Sequence, residues 1–166
     1  MRRVRLKRLA YRVASPLAYA WWSLARAHHD GAKCVITEGG EVLLVRHTYG
    51  NRRRWDFPGG FVRRGEEPRA AAAREIGEEL GLAVGAEDLA CLGAMRLDLG
   101  RRSATVSYFG LELAERTVEP DPVELAEVAW FGAGRLPRPL GEHVGEVLER
   151  HPLASVGTNP GSPDRG

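Results

Sequence analysis

The chain has 166 residues, 28 % of them charged, with a formal net charge of +2. That length suffices for one domain with its own core and is too short for two full ones, and the two cysteines, Cys34 and Cys91, form neither a disulfide framework nor a CxxC zinc spacing. The charge is unevenly placed: residues 1–29 hold seven basic side chains and no acid, leaving 17 basic against 22 acidic residues in the remainder, a balance that argues against a general nucleic-acid footprint on the main body of the chain.

The N-terminal segment places Leu6, Leu9, Val13, Leu17, Trp21 and Leu24 at steps of three or four, which predicts a basic amphipathic helix over residues 1–29 that Pro16 kinks or splits. Basic charge beside Tyr19, Trp21 and Trp22 suits a helix docked on an anionic membrane surface or in a dimer contact; packing on its own domain is the plainer alternative. A secretory leader ending near Ala25-Arg26-Ala27 is a weaker third reading, since proline and polar residues interrupt the apolar stretch. That stretch is also far short of the ~20 residues a membrane span needs. The expected location is cytoplasmic, with the helix as a peripheral membrane contact.

Two apolar runs, Ala32 to Thr37 and Val42 to Arg46, flank Glu38-Gly39-Gly40 and predict a hairpin. The loop His47 to Trp55 follows, rich in cations and aromatics. Arg46, Arg53 and Arg54 are candidates to pair with phosphates, and Tyr49 and Trp55 to stack on a base; for Trp55, packing is the stronger alternative.

Phe57-Pro58-Gly59-Gly60 then reads as a turn whose glycines can bring a backbone carbonyl close to a metal ion. From Gly60 the pattern is five residues, Glu66, seven residues, then Arg74-Glu75-Ile76-Gly77-Glu78-Glu79-Leu80-Gly81-Leu82. Pro68, four alanines from Ala70 to Ala73 and Gly81 mark a helix from about Glu67 to Leu80. On it Glu75, Glu78 and Glu79 fall at i, i+3 and i+4 and share a face, where three acids repel unless cations sit between them. Ala72, Ile76 and Leu80 form the opposite, apolar stripe. Oxygen ligands at this density favour Mg²⁺ or Mn²⁺ over zinc. Glu66 can close the metal cage, and the Arg74 fork can pair with a neighbouring carboxylate and hold its rotamer.

Every specified position of this stretch matches the Nudix box, Gly-x5-Glu-x7-Arg-Glu-U-x-Glu-Glu-x-Gly-U with U a bulky aliphatic residue, and the chain resembles the Nudix hydrolases over about residues 31 to 150. The resemblance implies an α/β fold, the Nudix-type α/β/α sandwich with a mixed β-sheet, and hydrolysis of a pyrophosphate bond in a nucleoside diphosphate linked to another group. It implies Glu75, Glu78 and Glu79 as ligands of Mg²⁺ or Mn²⁺, a backbone oxygen from the Gly60 region, and one glutamate as general base. Glu75 and Glu78 with Arg74 as orienting group are the catalytic candidates, and Glu124 is a candidate base outside the box. The box does not select a substrate: Arg96 to Gly100 holds neither the proline nor the tyrosine that mark some family subgroups, which leaves oxidised nucleoside triphosphates, nucleotide sugars and an RNA 5′ end open, the last being the one expected role for a nucleic acid. The rival is a catalytically silent nucleotide-binding or regulatory module, against which the intact glutamates argue.

Downstream, Leu89 to Leu99 and Ala104 to Leu113 predict strands joined around Gly100-Arg101-Arg102, Glu127 to Phe131 a further strand, and Leu140 to Arg150 a helix burying Val144, Val147 and Leu148. The five histidines show no metal-ligand spacing. Residues 30–151 form the expected catalytic domain and 152–166 an expected disordered tail.

Overall fold

A computed structural model of the chain describes residues 30–98, 103–153 and 156; the N-terminal amphipathic segment and the expected turn at Gly100-Arg101-Arg102 lie outside the described residues. The first two strands, β1 (Gly31–Glu38) and β2 (Glu41–His47), make the expected hairpin. Its turn is tighter than the sequence suggested: Glu38 pairs with Glu41, and Gly39 and Gly40 both take positive φ, 56° and 77°, the two-residue geometry that matches strand twist.

Then come β3 (Gly59–Phe61), helix α1 (Pro68–Leu80), β4 (Ala90–Asp98), β5 (Ser103–Glu112), β6 (Leu125–Gly132) and helix α2 (Val144–Arg150). The sheet order is β4-β5-β1-β2-β6, with β3 also paired to β1. The β1–β5 pairing is parallel and the others antiparallel, so the sheet is mixed as expected.

Side-chain alternation along β1 divides the core into two layers. Ala32, Cys34 and Ile36 face α1 and pack with Ala71, Ala72, Ile76 and Leu80. Val35 faces the other way and joins Val42, Leu44, Phe57, Val144 and Val147 under α2. Ile76 and Leu80 are fully buried, each contributing about 1.5–3 kcal/mol of hydrophobic stabilisation. The helix begins with Pro68 at its first position and ends on Gly81, whose φ of 69° is the left-handed cap that glycine supplies.

Three expectations need correction. Gly59 and Gly60 are not only a turn: with Phe61 they form β3, in register with Lys33, Ala32 and Gly31. A Cβ on Gly59 would stand 2.3 Å from the Ala32 carbonyl oxygen, so the absence of a side chain is what lets this short strand close on β1. The last helix starts at Val144, not Leu140, because residues 139–141 are engaged with Trp55: Trp55 N–H donates to the Pro139 carbonyl at 2.9 Å and Gly141 N–H to the Trp55 carbonyl at 2.7 Å. Within the segment expected to be disordered, Leu153 and Val156 pack into the α2-side core and Val156 is fully buried. A Cβ on Gly110 would stand 2.1 Å from the Val156 carbonyl oxygen, so a glycine in mid-strand makes room for Val156.

Candidate metal and catalytic site

The site is assembled where β3 meets the polar face of α1. Arg74 is its organiser. Nε and Nη2 hold the two oxygens of Glu66 at 2.8 and 3.0 Å, Nη1 reaches Glu75 at 2.7 Å and Glu78 at 3.2 Å, and Nη2 also donates to the Phe61 carbonyl at 3.1 Å. These five bonds use all five N–H donors of a guanidinium. Arg74, the expected orienting group, thus has its fork on Glu66, Glu75 and Glu78, and the carboxylates around it raise its pKa further, Glu66 foremost.

Glu66, expected to close a metal cage, is bound to Arg74 in this structure. Both its oxygens are taken by Arg74, and the Arg63 N–H donates to one of them at 2.8 Å. The Arg74 hydrogen bond is the main reason its pKa falls to about 2. A carboxylate with both oxygens on a guanidinium fork holds the fork in place, so Glu66 acts here as the counter-anchor of Arg74.

Glu75 lies directly over Gly60: a Cβ at that position would meet its carboxylate at 2.5–2.7 Å. Its side chain is 14 % exposed, and burial raises its pKa despite the opposing pull of Arg74, with Glu79 and Glu78 adding to the rise. Glu78 is the outermost of the three, between Arg74 and Arg63. Glu79 is fully buried. One of its oxygens accepts from His47 Nε2 at 2.7 Å and the other from the Gly59 N–H at 2.9 Å.

Segment 119–125 docks on the C-terminal end of α1 through Glu119 N–H to the Leu80 carbonyl and Asp121 N–H to the Glu79 carbonyl, 2.7 and 2.8 Å. This brings Glu124, far away in sequence, up to the box. Its carboxyl is pushed up by burial first and then by the charges of Glu79, Asp121, Glu75 and Glu78.

Among the described residues no three His, Cys, Asp or Glu side chains already converge as a metal-ligand group: Arg74 draws Glu75 and Glu78 to one side, while His47 and Gly59 draw Glu79 to the other. The chemistry of the set nonetheless fits a hard divalent cation. Glu75, Glu78, Glu79 and Glu124 repel one another across a partly desolvated space, and such a concentration of carboxylate oxygens is stabilised by proton uptake or by a cation.

The expected substrate residues separate into two groups. Arg46 forms an ion pair with Glu127 and lies over the Trp55 ring at 5.2 Å, and Trp55 packs edge-on against Phe131 at 5.0 Å. Both are engaged within the protein, the packing alternative for Trp55. Tyr49 lies 5.2 Å from the His47 ring, and with Asn51 and Arg54 it lines a cleft of about 260 Å³. Arg53 is exposed beside it on the same loop. That loop is tied to the Glu124 segment by Thr48, whose N–H and hydroxyl donate to the carbonyls of Glu124 and Val123 at 2.8 and 2.7 Å.

Sequence reasoning passed over the rest of this cleft. Lys33 pairs with Asp56 at 2.5 Å, and Tyr108 and His143 are hydrogen bonded at 3.2 Å. His47 borders the cleft while holding Glu79. No local pattern marks these residues, because each partner comes from a different element.

The sequence profile of the NUDIX domain matches residues 27–151. A NAD-capped RNA hydrolase, NudC, of Mycobacterium tuberculosis is 32 % identical over 99 residues, 59 % of this chain and 31 % of that protein. An ADP-ribose pyrophosphatase of the same organism is 43 % identical over 60 residues, 32 % of this chain and 28 % of its own length. The chain therefore spans under a third of these curated relatives. The crystal structure of a MutT NUDIX hydrolase from Burkholderia pseudomallei superimposes with a TM-score of 0.66 at 24 % identity, covering 75 % of this chain and 98 % of that one, which shows the shared fold.

Proposed function

Because the chain belongs to the NUDIX family and is a Nudix hydrolase, we propose that it hydrolyses a pyrophosphate bond within a nucleoside diphosphate linked to a further group, in a reaction that depends on Mg²⁺ or Mn²⁺. The observation that carries this reading is the intact cluster of Glu75, Glu78 and Glu79, the first two held by Arg74 with Glu75 over the side-chain-free backbone of Gly60, and the third held by His47 and the Gly59 N–H. The names of the relatives speak of NAD-capped RNA and ADP-ribose; both are nucleotides joined through a pyrophosphate.

Glu75, Glu78 and Glu79, with the Gly60 backbone carbonyl, are the groups that would hold the cations. Bound there, divalent cations supply charge neutralisation on the phosphoryl oxygens and a lowered pKa for the attacking water. The protein's own work is to keep these carboxylates in register. Arg74 fixes Glu75 and Glu78, and His47 with the Gly59 N–H fixes Glu79.

Water adds to one phosphorus, the bridging P–O bond breaks with its electron pair leaving on the departing phosphate, and the water proton passes to a glutamate. Glu124 is the proposed acceptor, because its segment is docked against α1 and it sits half-buried among the box acids. The cleft beside His47 receives the substrate beyond the pyrophosphate, with Tyr49 and Arg54 at its wall and Arg53 at its rim.

The test is incubation of the purified protein with Mg²⁺ or Mn²⁺ and a panel of nucleotide sugars, dinucleotides, nucleoside triphosphates and capped or triphosphorylated RNA, with products identified by mass. A product pair from pyrophosphate cleavage that disappears in Glu78→Gln supports the reading. Cation-independent turnover, or turnover unchanged in Glu78→Gln, overturns it.

A further inference from the structure

We infer that His47 is a positioning residue of the reaction, acting through Glu79 to set the affinity of the glutamate cluster for divalent cations; this rests on the metal-dependent reading above. Glu79 is the most deeply buried acid described, its side chain 1 % exposed, and a carboxylate in such a place must be hydrogen bonded. It has two side-chain bonds: His47 Nε2 on one oxygen at 2.7 Å and the Gly59 N–H on the other at 2.9 Å. Since the partner is a carboxylate, which only accepts, Nε2 carries the hydrogen and donates.

The two donors have different consequences. Gly59 is fixed by the sheet, and its N–H restrains only one oxygen. The χ3 torsion of a glutamate is broad and roughly two-fold, so a carboxylate held at one oxygen can turn about that bond and redirect its remaining lone pairs. The His47 bond on the second oxygen closes that freedom. Each oxygen keeps a lone pair free of the two donors, so the pinned carboxylate is held in one plane and can still bind a cation with the lone pairs left over.

His47 is itself held at the end of β2, in register with Leu125 on β6 just beyond a bulge at Arg46, and its ring lies 5.2 Å from Tyr49 at the cleft wall. It therefore joins the substrate cleft to the carboxylate cluster. Its place in sequence, 13 residues before Gly60, falls outside every specified position of the box.

The experiment uses the full chain and Mn²⁺ alone. Free Mn²⁺ is titrated by its paramagnetic resonance signal against wild type, His47→Phe, which keeps the ring and removes the donor, and His47→Gln, which restores an amide N–H near the Nε2 position. Removing the partner that orients a ligand typically costs 10–100-fold in metal affinity, so His47→Phe is expected to weaken Mn²⁺ binding at least about tenfold and His47→Gln to recover most of it. Glu79→Gln combined with His47→Phe should bind no more weakly than Glu79→Gln alone, because both act on one carboxylate.

Equal Mn²⁺ affinity in wild type and His47→Phe overturns the inference, as does full additivity in the double variant. Should His47→Phe not fold, His47→Asn, whose shorter amide cannot reach Glu79, is read in the same titration. Absence of Mn²⁺ binding in wild type would instead overturn the metal-dependent reading, so the two failures are distinct.

Discussion

Replacing Gly60 by alanine separates positioning from stability. The new methyl would stand 2.5 Å from Glu75 Cδ and 2.6 and 2.7 Å from its oxygens. Non-bonded carbons settle at about 3.5–4.0 Å, so the carboxylate must withdraw by roughly 1 Å or more. Gly60 is not among the glycines of positive φ, so its backbone accepts alanine, and the obstacle is the far end of a flexible side chain. The stability cost should be about 1 kcal/mol, the low end for overpacking, or roughly 2–4 °C in Tm for a chain of this size. A catalytic group displaced by about 1 Å costs on the order of 10²-fold in rate. The contrast is Gly59→Ala, where φ is +138° and the clash is with the Ala32 carbonyl at 2.3 Å and the Lys33 Cα at 2.8 Å, all backbone that cannot yield. Steady-state kcat on the best substrate and thermal unfolding of both variants are the measurements. Gly60→Ala should stay folded and lose about two orders of magnitude in kcat, while Gly59→Ala should fail to fold. A Gly60→Ala enzyme within threefold of wild type would refute the placement of Glu75, and a large loss of Tm would refute the claim that the contact is soft.

Glu78→Gln should lower kcat by about 10³-fold or more with unchanged Tm, because this side chain is 47 % exposed; a Tm shift of many degrees would show a structural role instead. Arg74→Lys cannot replace five directed bonds and leaves Glu66 and Glu75 under-compensated, so unfolding titrations should show a loss on the order of 2–3 kcal/mol together with the loss of activity. Glu66 has a folded pKa lowered to about 2, chiefly by its Arg74 hydrogen bond; a lowered acid adds stability above its unfolded pKa and loses it as pH falls towards the folded one, so Glu66→Gln should flatten the loss of Tm between about pH 4.3 and pH 2. Glu75, raised by burial, has the opposite sign: the stability tied to its protonated form is lost as pH rises through its folded pKa, and Mn²⁺ should raise Tm more at pH 7.5 than at pH 5. If residues 1–29 dock on an anionic membrane surface, the full chain should sediment with anionic liposomes and a chain lacking residues 1–27 should not; loss of solubility on deletion would instead favour packing of that segment on its own domain.

Much of the fold was legible because its signals are local. The stripe Ala72, Ile76, Leu80, the proline at the start and the glycine at the end of α1 each act within a turn or two, and the helix forms from Pro68 to Leu80 as read. The two apolar runs around Gly39-Gly40 likewise form β1 and β2 as the expected hairpin. What escaped depends on partners distant in sequence. Gly59-Gly60 is a strand only because β1 lies beside it, and Leu140 and Gly141, the first residues of the expected last helix, were claimed by Trp55, 85 and 86 residues earlier. Val156 looked like part of a disordered tail because nothing in its neighbourhood shows that Gly110 leaves it a seat. At the site, the shared face of Glu75, Glu78 and Glu79 was legible from i, i+3, i+4 spacing, whereas the grip of Arg74 on both oxygens of Glu66 was not, because spacing does not reveal which carboxylate a guanidinium will hold.

Those partners also explain how three acids can share a helix face without collapsing the arrangement. Like charges at i, i+3 and i+4 each have a rotamer that swings outward to solvent, and repulsion favours it. Here each acid is held by a donor from a different direction: Glu78 by Arg63 and Arg74 at the rim, Glu75 by Arg74 over Gly60, Glu79 by His47 and Gly59 from beneath. Arg74 is itself fixed by Glu66, so the loop before the helix sets the outer two carboxylates and the end of β2 sets the inner one. The repulsion that remains between them is not relieved by these donors, which neutralise less charge than the three carboxylates carry. It adds to burial, the main cause of the raised pKa values of Glu75 and Glu124, and on the proposed reading a divalent cation held there would relieve it. A site built this way gains cation affinity from the same repulsion that costs it stability when metal-free, which is why the Gly60, Glu78 and His47 variants are expected to change metal affinity or rate more than folding.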